Sequence, residues 1–201
     1  MLIAYFSVSQ PNTTYMTLYR KNPGTVKLVL LLSLSLMFFT TSFLWAQNNM
    51  PDDSYTIITE ASKVGPENPR RGLSLLRGLK QHFYDKGSYE NIDDFSVYYS
   101  VVAAEAGIHA NEKKFSTIYR LFGEIGDHVK PLMSMDDQYA AFYYFSKVMI
   151  LIYKAQENNT VIVGNAKYRG EIKALIEEAK RFNFKEKITQ NLVTSHLEQY
   201  L

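Results

Sequence analysis

The chain contains no cysteine. This absence excludes a disulfide framework, a cysteine nucleophile, a lipid-attachment cysteine behind an export signal, and structural zinc held by thiolates. A domain of this length can bury enough surface to fold without such staples. Glycine and proline are scarce, at 10 and 6 of 201 residues, and they fall between the periodic stretches. No serine sits in a glycine-framed elbow. Ser195 and His196 are neighbours in sequence, so on a helix their side chains diverge and form no base and nucleophile pair. An excess of either charge is lacking too. Of 22 basic residues, Arg20, Lys21 and Lys27 precede position 47, while no Asp or Glu precedes Asp52, so residues 47–201 carry 19 basic against 20 acidic side chains. The basic pI therefore belongs largely to the N-terminal segment and is no argument for nucleic acid or an anionic membrane as partner.

One long apolar run is present, Leu28 to Ala46, with Arg20, Lys21 and Lys27 before it and a polar, acidic opening at Gln47, Asn48, Asn49, Asp52 and Asp53 after it. A positive flank, a leucine-rich centre and a small residue at the end are the physical signature of an export signal, with cleavage expected after Ala46. Leu44 departs from the small residue usual three positions before the cut. A retained segment, near the length needed to span a bilayer, would act as an anchor. In both cases the positive-inside bias leaves residues from Gln47 onward outside the cytoplasm. Met16 opens a conventional basic region and is read as the working start, with residues 1–15 as an overrun. Residues 1–46 thus form extension and signal, and residues 47–201 the working domain. A second hydrophobic run is absent, which weighs against a sensory front end of a membrane signalling protein.

Across residues 47–201 apolar side chains recur at helical spacing, giving an all-α expectation of about seven helices. The clearest stripe is Tyr168, Ile172, Leu175, Ile176, Ala179 and Phe182, with Arg169, Lys173, Glu177, Lys180 and Arg181 facing away. Earlier helices are expected at Ser54–Val64 and Pro69–Tyr84, the latter with Leu73, Leu76, Leu79 and Phe83 inward and proline in its first turn. Asp93 or Asp94 is expected to cap a helix to Ile108, and Asn111 to start one ending near Ile125, before Gly126 and Pro131. Asp136 or Asp137 opens the longest, which reaches Asn158. Two more are separated near Asn183, the last with Ile188, Leu192, Val193, Leu197 and Leu201 as its apolar stripe. Short loops favour antiparallel neighbours, and helix pairs at roughly 35 to 45 residues suggest stacked hairpins.

The middle pair resembles a tetratricopeptide repeat in Tyr98 and Tyr99, then Ala104 and Gly107, then Phe115, Tyr119 and Gly123. The closing proline is displaced to Pro131, and the fifth helix overruns the repeat length. The resemblance implies a short stack of hairpins with a concave surface that holds a peptide or another protein, and no chemistry.

Candidate site residues are few. Glu105, His109 and Glu112 have metal-ligand spacing on one helical face, with Asp127 and His128 as a second donor element; the alternative is a helix end near Gly107 and Asn111 with solvated acids. The aromatic series Tyr139, Phe142, Tyr143, Tyr144, Phe145 and Tyr153 runs nearly all round one helix, so Tyr144 or Phe145 is expected at an interface with a partner. Lys63, Arg70, Arg71, Arg77 and Lys80 form the densest basic segment, with Arg70 and Arg77 on one face as partner-binding candidates that would suit an anionic glycan or phosphate. Glu60, Glu67 and Asp85 interrupt it, as an ordinary solvated surface would. The paired acids at 52–53, 93–94 and 136–137 are read as helix caps. Asn158, Asn159 and Thr160 form a glycosylation acceptor pattern relevant in a eukaryotic secretory route. The reading that follows is an exported, noncatalytic helical domain without cofactor that binds a protein or peptide, the alternative being a metal-binding or enzymatic bundle built on Glu105, His109 and Glu112. Membrane contact is expected only through residues 28–46 if they are retained.

Overall fold

A computed structural model describes residues 52–85 and 91–201, and within them the chain is all-α, with no strand. The seven helices are α1 (Asp52–Val64), α2 (Pro69–Asp85), α3 (Ile92–Asn111), α4 (Phe115–Val129), α5 (Asp137–Glu157), α6 (Ala166–Arg181) and α7 (Lys187–Glu198), with a 3-10 turn at Lys130–Leu132 between α4 and α5. No helix among the described residues is long and apolar enough to cross a membrane. The apolar run 28–46, the cleavage position and the start at Met16 lie outside the described residues.

Local chemistry sets the boundaries, and in two places it overrules the expected ones. Asn91, not Asp93 or Asp94, caps α3: its side chain accepts from the amides of Asp93 at 2.9 Å and Asp94 at 3.2 Å. The two aspartates occupy the first turn, where negative charge meets the positive end of the helix. Asn111 ends α3 instead of starting α4. The chain turns through Lys113, which takes a left-handed φ of 57°, and the Lys114 amide reaches back to the His109 carbonyl at 2.9 Å. This closes α3 in a tight corner. Asn68 caps α2 through the Arg71 amide, Asp136 caps α5 through Gln138, and Asn165 caps α6 through Lys167.

The helices form two rows. Helices α1, α3, α5 and α7 pack each against the next in that series, whereas α2, α4 and α6 pack only against their neighbours in sequence. The odd helices run parallel. At the start of α5 and α7, the Asp137 carboxylate accepts from the amides of Lys185 at 2.9 Å and Glu186 at 2.7 Å, and about two and a half turns later Phe145 meets His196 at 4.9 Å between ring centres. Likewise Phe95 and Tyr99 near the start of α3 meet Phe142 near the start of α5, at 5.1 and 4.8 Å. Each even helix is then the return limb of a hairpin, as short connections require.

The core lies where α3, α4 and α5 converge. Phe95, Tyr99, Phe122, Phe142 and Tyr153 are all buried there, with Phe122 stacked on Tyr153 at 6.2 Å. Burial pushes the phenols of Tyr99 and Tyr153 well above the usual range, so both stay neutral. Helices α3 and α5 are buried on most of their circumference because each has neighbours on both sides in its row. On α2 and α6 only one stripe is buried: Gly72, Leu76, Leu79 and Phe83 on the first, Tyr168, Ile172, Ile176 and Ala179 on the second.

The stripe expected on α7 is rotated. Thr189, Val193, Thr194 and Leu197 are buried, while Ile188 and Leu192 are 73% and 39% exposed. Val193 and Leu197 set the inward face at a spacing of four. Thr189 extends it because its methyl group tolerates burial; a threonine looks polar in sequence and hides that continuation.

Candidate functional site

Because α3 continues through Asn111, Glu105 and His109 stand one turn apart and Glu112 sits at the helix end. The structure brings the three together: His109 Nε2 lies 3.7 Å from Glu105 and Nδ1 lies 3.6 Å from Glu112. The carboxylates thus approach opposite nitrogens of one ring and do not converge on a common point. Lys80 of α2 also donates to Glu105 at 2.7 Å, and Lys114 pairs with Glu112 at 3.1 Å. Each carboxylate already has a cation. Asp127 and His128 stand at the far end of α4, thirteen residues or roughly 20 Å of helix from its start at Phe115. The His128 Nδ1 meets the Glu124 carbonyl at 2.7 Å. Among the described residues no three His, Cys, Asp or Glu side chains are disposed to hold a metal ion. The alternative reading of these three residues as a metal site gains no support from this arrangement: helical spacing put the donors on one side, but the imidazole lies between the acids. Titration with zinc is expected to show no saturable one-to-one site by calorimetry, in wild type and in Glu105→Gln alike.

Tyr144 and Phe145 do not stand at an interface. They are 1% and 8% exposed, Tyr144 beside Phe184 and Phe145 beside His196. Aromatics nearly all round α5 are absorbed by α3, α4, α6 and α7, which surround it. Arg70 and Arg77 are exposed together on α2, and Arg71, a third of the way round the helix, pairs with Glu60 of α1 at 3.1 Å. This is a solvated charged surface. Asn158, Asn159 and Thr160 form an exposed turn in which Asn159 takes a φ of 54°. Ser195 points outward while His196 turns in toward Phe145.

A different surface was hidden from the sequence. With 100° per residue, the side of α3 away from α2 and α4 carries Ser96, Ser100, Ala103 and Gly107. The corresponding side of α5 carries Phe145, Met149, Ile152 and Gln156, and that of α7 carries Ile188, Leu192 and Gln199. Ser100, Ala103, Gly107, Met149 and Ile152 are partly exposed, and a methyl group built on Gly107 would meet nothing. No charged side chain belongs to these stripes. The even helices show the reverse, with Arg120, Glu124, Arg169, Lys173, Glu177 and Lys180 exposed. The two lysines in the middle and end of α5 follow this partition: Lys147 lies over the Tyr143 ring at 5.2 Å on the side facing α4 and α6, where Asp127 and Glu178 raise the Tyr143 pKa after burial has done so. The signal in sequence was the all-round apolar character of α3 and α5, which marks a row with neighbours on two sides.

Comparison with protein-family models, with curated proteins and with solved structures returned no match.

Proposed function

We propose that residues 52–201 are a noncatalytic, tetratricopeptide-like stack of three helical hairpins with α7 as its closing helix, working outside the cytoplasm and binding a protein or peptide segment along the uncharged face of the odd helices. The observation that carries this reading is the placement of Ile188 and Leu192. On α7 the flank away from α5 holds Lys187, Asn191 and Glu198, all exposed and polar. The exposed apolar pair points elsewhere, toward the face it shares with Met149 and Ile152. Tyr84, Met135, Val161 and Val163 are exposed elsewhere, but only Ile188 and Leu192 continue a charge-free stripe, and a partner that covers that stripe accounts for the pair.

A photo-crosslinking residue at Ser100, Met149 or Leu192 is expected to capture one common partner band from envelope fractions, and the same residue at Arg120 or Lys173 none. Leu192→Asp should weaken capture at least about tenfold, as loss of an apolar anchor does. Because the site is part-exposed, it should change stability by no more than about 0.5 kcal/mol. Equal crosslinking from both rows would overturn the assignment of the face.

A further inference from the structure

Whatever covers the face of the odd helices has to match it in chemistry and in relief. The hydroxyls of Ser96 and Ser100 donate within their own helix, to the Ile92 carbonyl at 2.9 Å and the Ser96 carbonyl at 3.0 Å, so an apolar surface laid over them strands no donor. Ala103, Gly107, Met149, Ile152, Ile188 and Leu192 bring no polar side chain. A charge on the partner would lose its water here and gain no counter-charge, so the partner's contact surface is uncharged as well. The stripe itself has that composition. Its relief is two-sided: α5 is central, with α3 on one flank and α7 on the other. Serine, alanine and glycine make the α3 side a recess, whereas the exposed Ile188 and Leu192 make the α7 side a ridge. A recess and a ridge on either side of one central helix are what a self-complementary contact needs.

We propose that this face binds a second copy of the chain, about a two-fold axis that runs along α5 and lays α7 of each copy over α3 of the other; this names the partner of the function proposed above and rests on that reading. The level of the helices selects the axis. Asp137 on the Lys185 and Glu186 amides sets the start of α7 beside the start of α5, and Phe142 against Phe95 and Tyr99 does the same for α3. Ile188 and Leu192 therefore lie at one end of the face. An axis across the helices that covered them would leave the later turns of α3 and α5 bare. An axis along the helices keeps every residue at its level, sets Leu192 against Ser96 and Ser100, and sets Met149 and Ile152 against their own counterparts. Lys187, Asn191 and Glu198 then fall at the rim, where polar groups keep their water. Helix α7, the shortest of the three at 12 residues, is about 18 Å long. Three helices at a spacing of about 8–10 Å are about 28 Å across. The contact is then on the order of 500–800 Å² per copy, at the lower edge of specific dimers, and a dissociation constant on the order of 10 µM is expected.

Sedimentation equilibrium of the purified full chain, from about 1 to 200 µM, should show a reversible dimer. A monomer throughout overturns the second copy. Because a two-fold contact uses Leu192 twice, Leu192→Asp should raise the dissociation constant about a hundredfold, the square of the tenfold effect of one anchor. Ala103→Glu, at a part-exposed helical position that accepts glutamate, should act in the same direction and serves if the first variant folds poorly. Association unchanged in either folded variant comes from elsewhere and overturns the proposal. The chain has no cysteine, so single cysteines report contacts without background. With a short bismaleimide, Met149→Cys should link to itself, Ser100→Cys should link to Leu192→Cys in a mixture faster than either links to itself, and Arg120→Cys should link to nothing. Efficient self-linking at Arg120→Cys, or Ser100→Cys and Leu192→Cys each preferring itself, overturns the arrangement. A monomer that still yields one common band from crosslinkers at Ser100, Met149 and Leu192 loses the second copy and keeps the proposed function. Absence of both dimer and band removes both.

Discussion

Gly72→Ala is expected to destabilise the protein by about 3 kcal/mol, and Gly78→Ala, six residues along the same helix, to stabilise it by about 0.5–1 kcal/mol. Propensity alone predicts the same gain at both positions, since alanine is the better helix former. The surroundings decide otherwise. A methyl group on Gly72 would lie 2.8 Å from the Gly65 Cα, 2.8 Å from Ile108 Cδ1 and 3.1 Å from the Ala61 carbonyl oxygen, whereas one on Gly78 would meet nothing within 4 Å. Backbone cannot step aside as a side-chain tip can. Gly65 is the matching half of this crossing: a methyl there would lie 2.5 Å from Ile108 Cγ1 and 2.8 Å from the Ala61 oxygen. The end of α1, the start of α2 and Ile108 of α3 thus meet where only hydrogen atoms fit. Urea unfolding of the two variants side by side measures the difference. A Gly72→Ala protein as stable as wild type would show that the α1–α2 corner is looser than described.

Asp137→Ala should cost about 3 kcal/mol, the scale for removing a buried charged acceptor and leaving its donors unpaired. The residue is only 7% exposed, yet its two oxygens accept from backbone amides 48 and 49 residues away. No water can replace it cheaply. Asp137→Asn keeps one acceptor oxygen but turns an NH2 group toward an amide donor, so it should recover less than half of the loss. The damage should be local to the α6–α7 connection. Faster hydrogen exchange in α7 than in α2, with the midpoint of unfolding lowered, is the expected pattern; uniform loosening of all helices would count against a fastening role. Reading Asp136 and Asp137 together as a cap was half right. Asp136 caps α5 through the Gln138 amide, and Asp137 closes a tertiary joint that no spacing rule announces.

Helix existence was legible wherever one stripe of large apolar residues ran beside charge, as on α2 and α6, because one-sided burial leaves a period in the sequence. Boundaries were less so. Asn91 outcompeted Asp93 and Asp94 as the cap through backbone geometry invisible in composition, and Asn111 served a left-handed corner at Lys113 rather than a new helix. The candidate site was misread for the same reason in two places. All-round aromatics on α5 look like surplus until the second row neighbour is known, which is why the sequence points to Tyr144 or Phe145 at an interface. On α7 the large residues Ile188 and Leu192 outweigh Thr189 in hydrophobicity, although the small β-branched residue is the one buried. Spacing put Glu105, His109 and Glu112 on one side, but not the direction in which each side chain approaches the ring.

The neighbour-only packing of the rows has a consequence for synthesis. Every hairpin finds its partners within the next two helices, so assembly can proceed from the N-terminal end as the chain emerges, with little loop-closure delay. Helix α5 shows what this order leaves exposed. Its aromatic circumference is complete at Glu157, but the α6 and α7 that cover half of it come from the final stretch of roughly 44 residues. At ordinary elongation rates this leaves Tyr144 and Phe145 bare for about 2–9 s. The nascent chain is most prone to aggregate, and most attractive to a holding chaperone, in that interval.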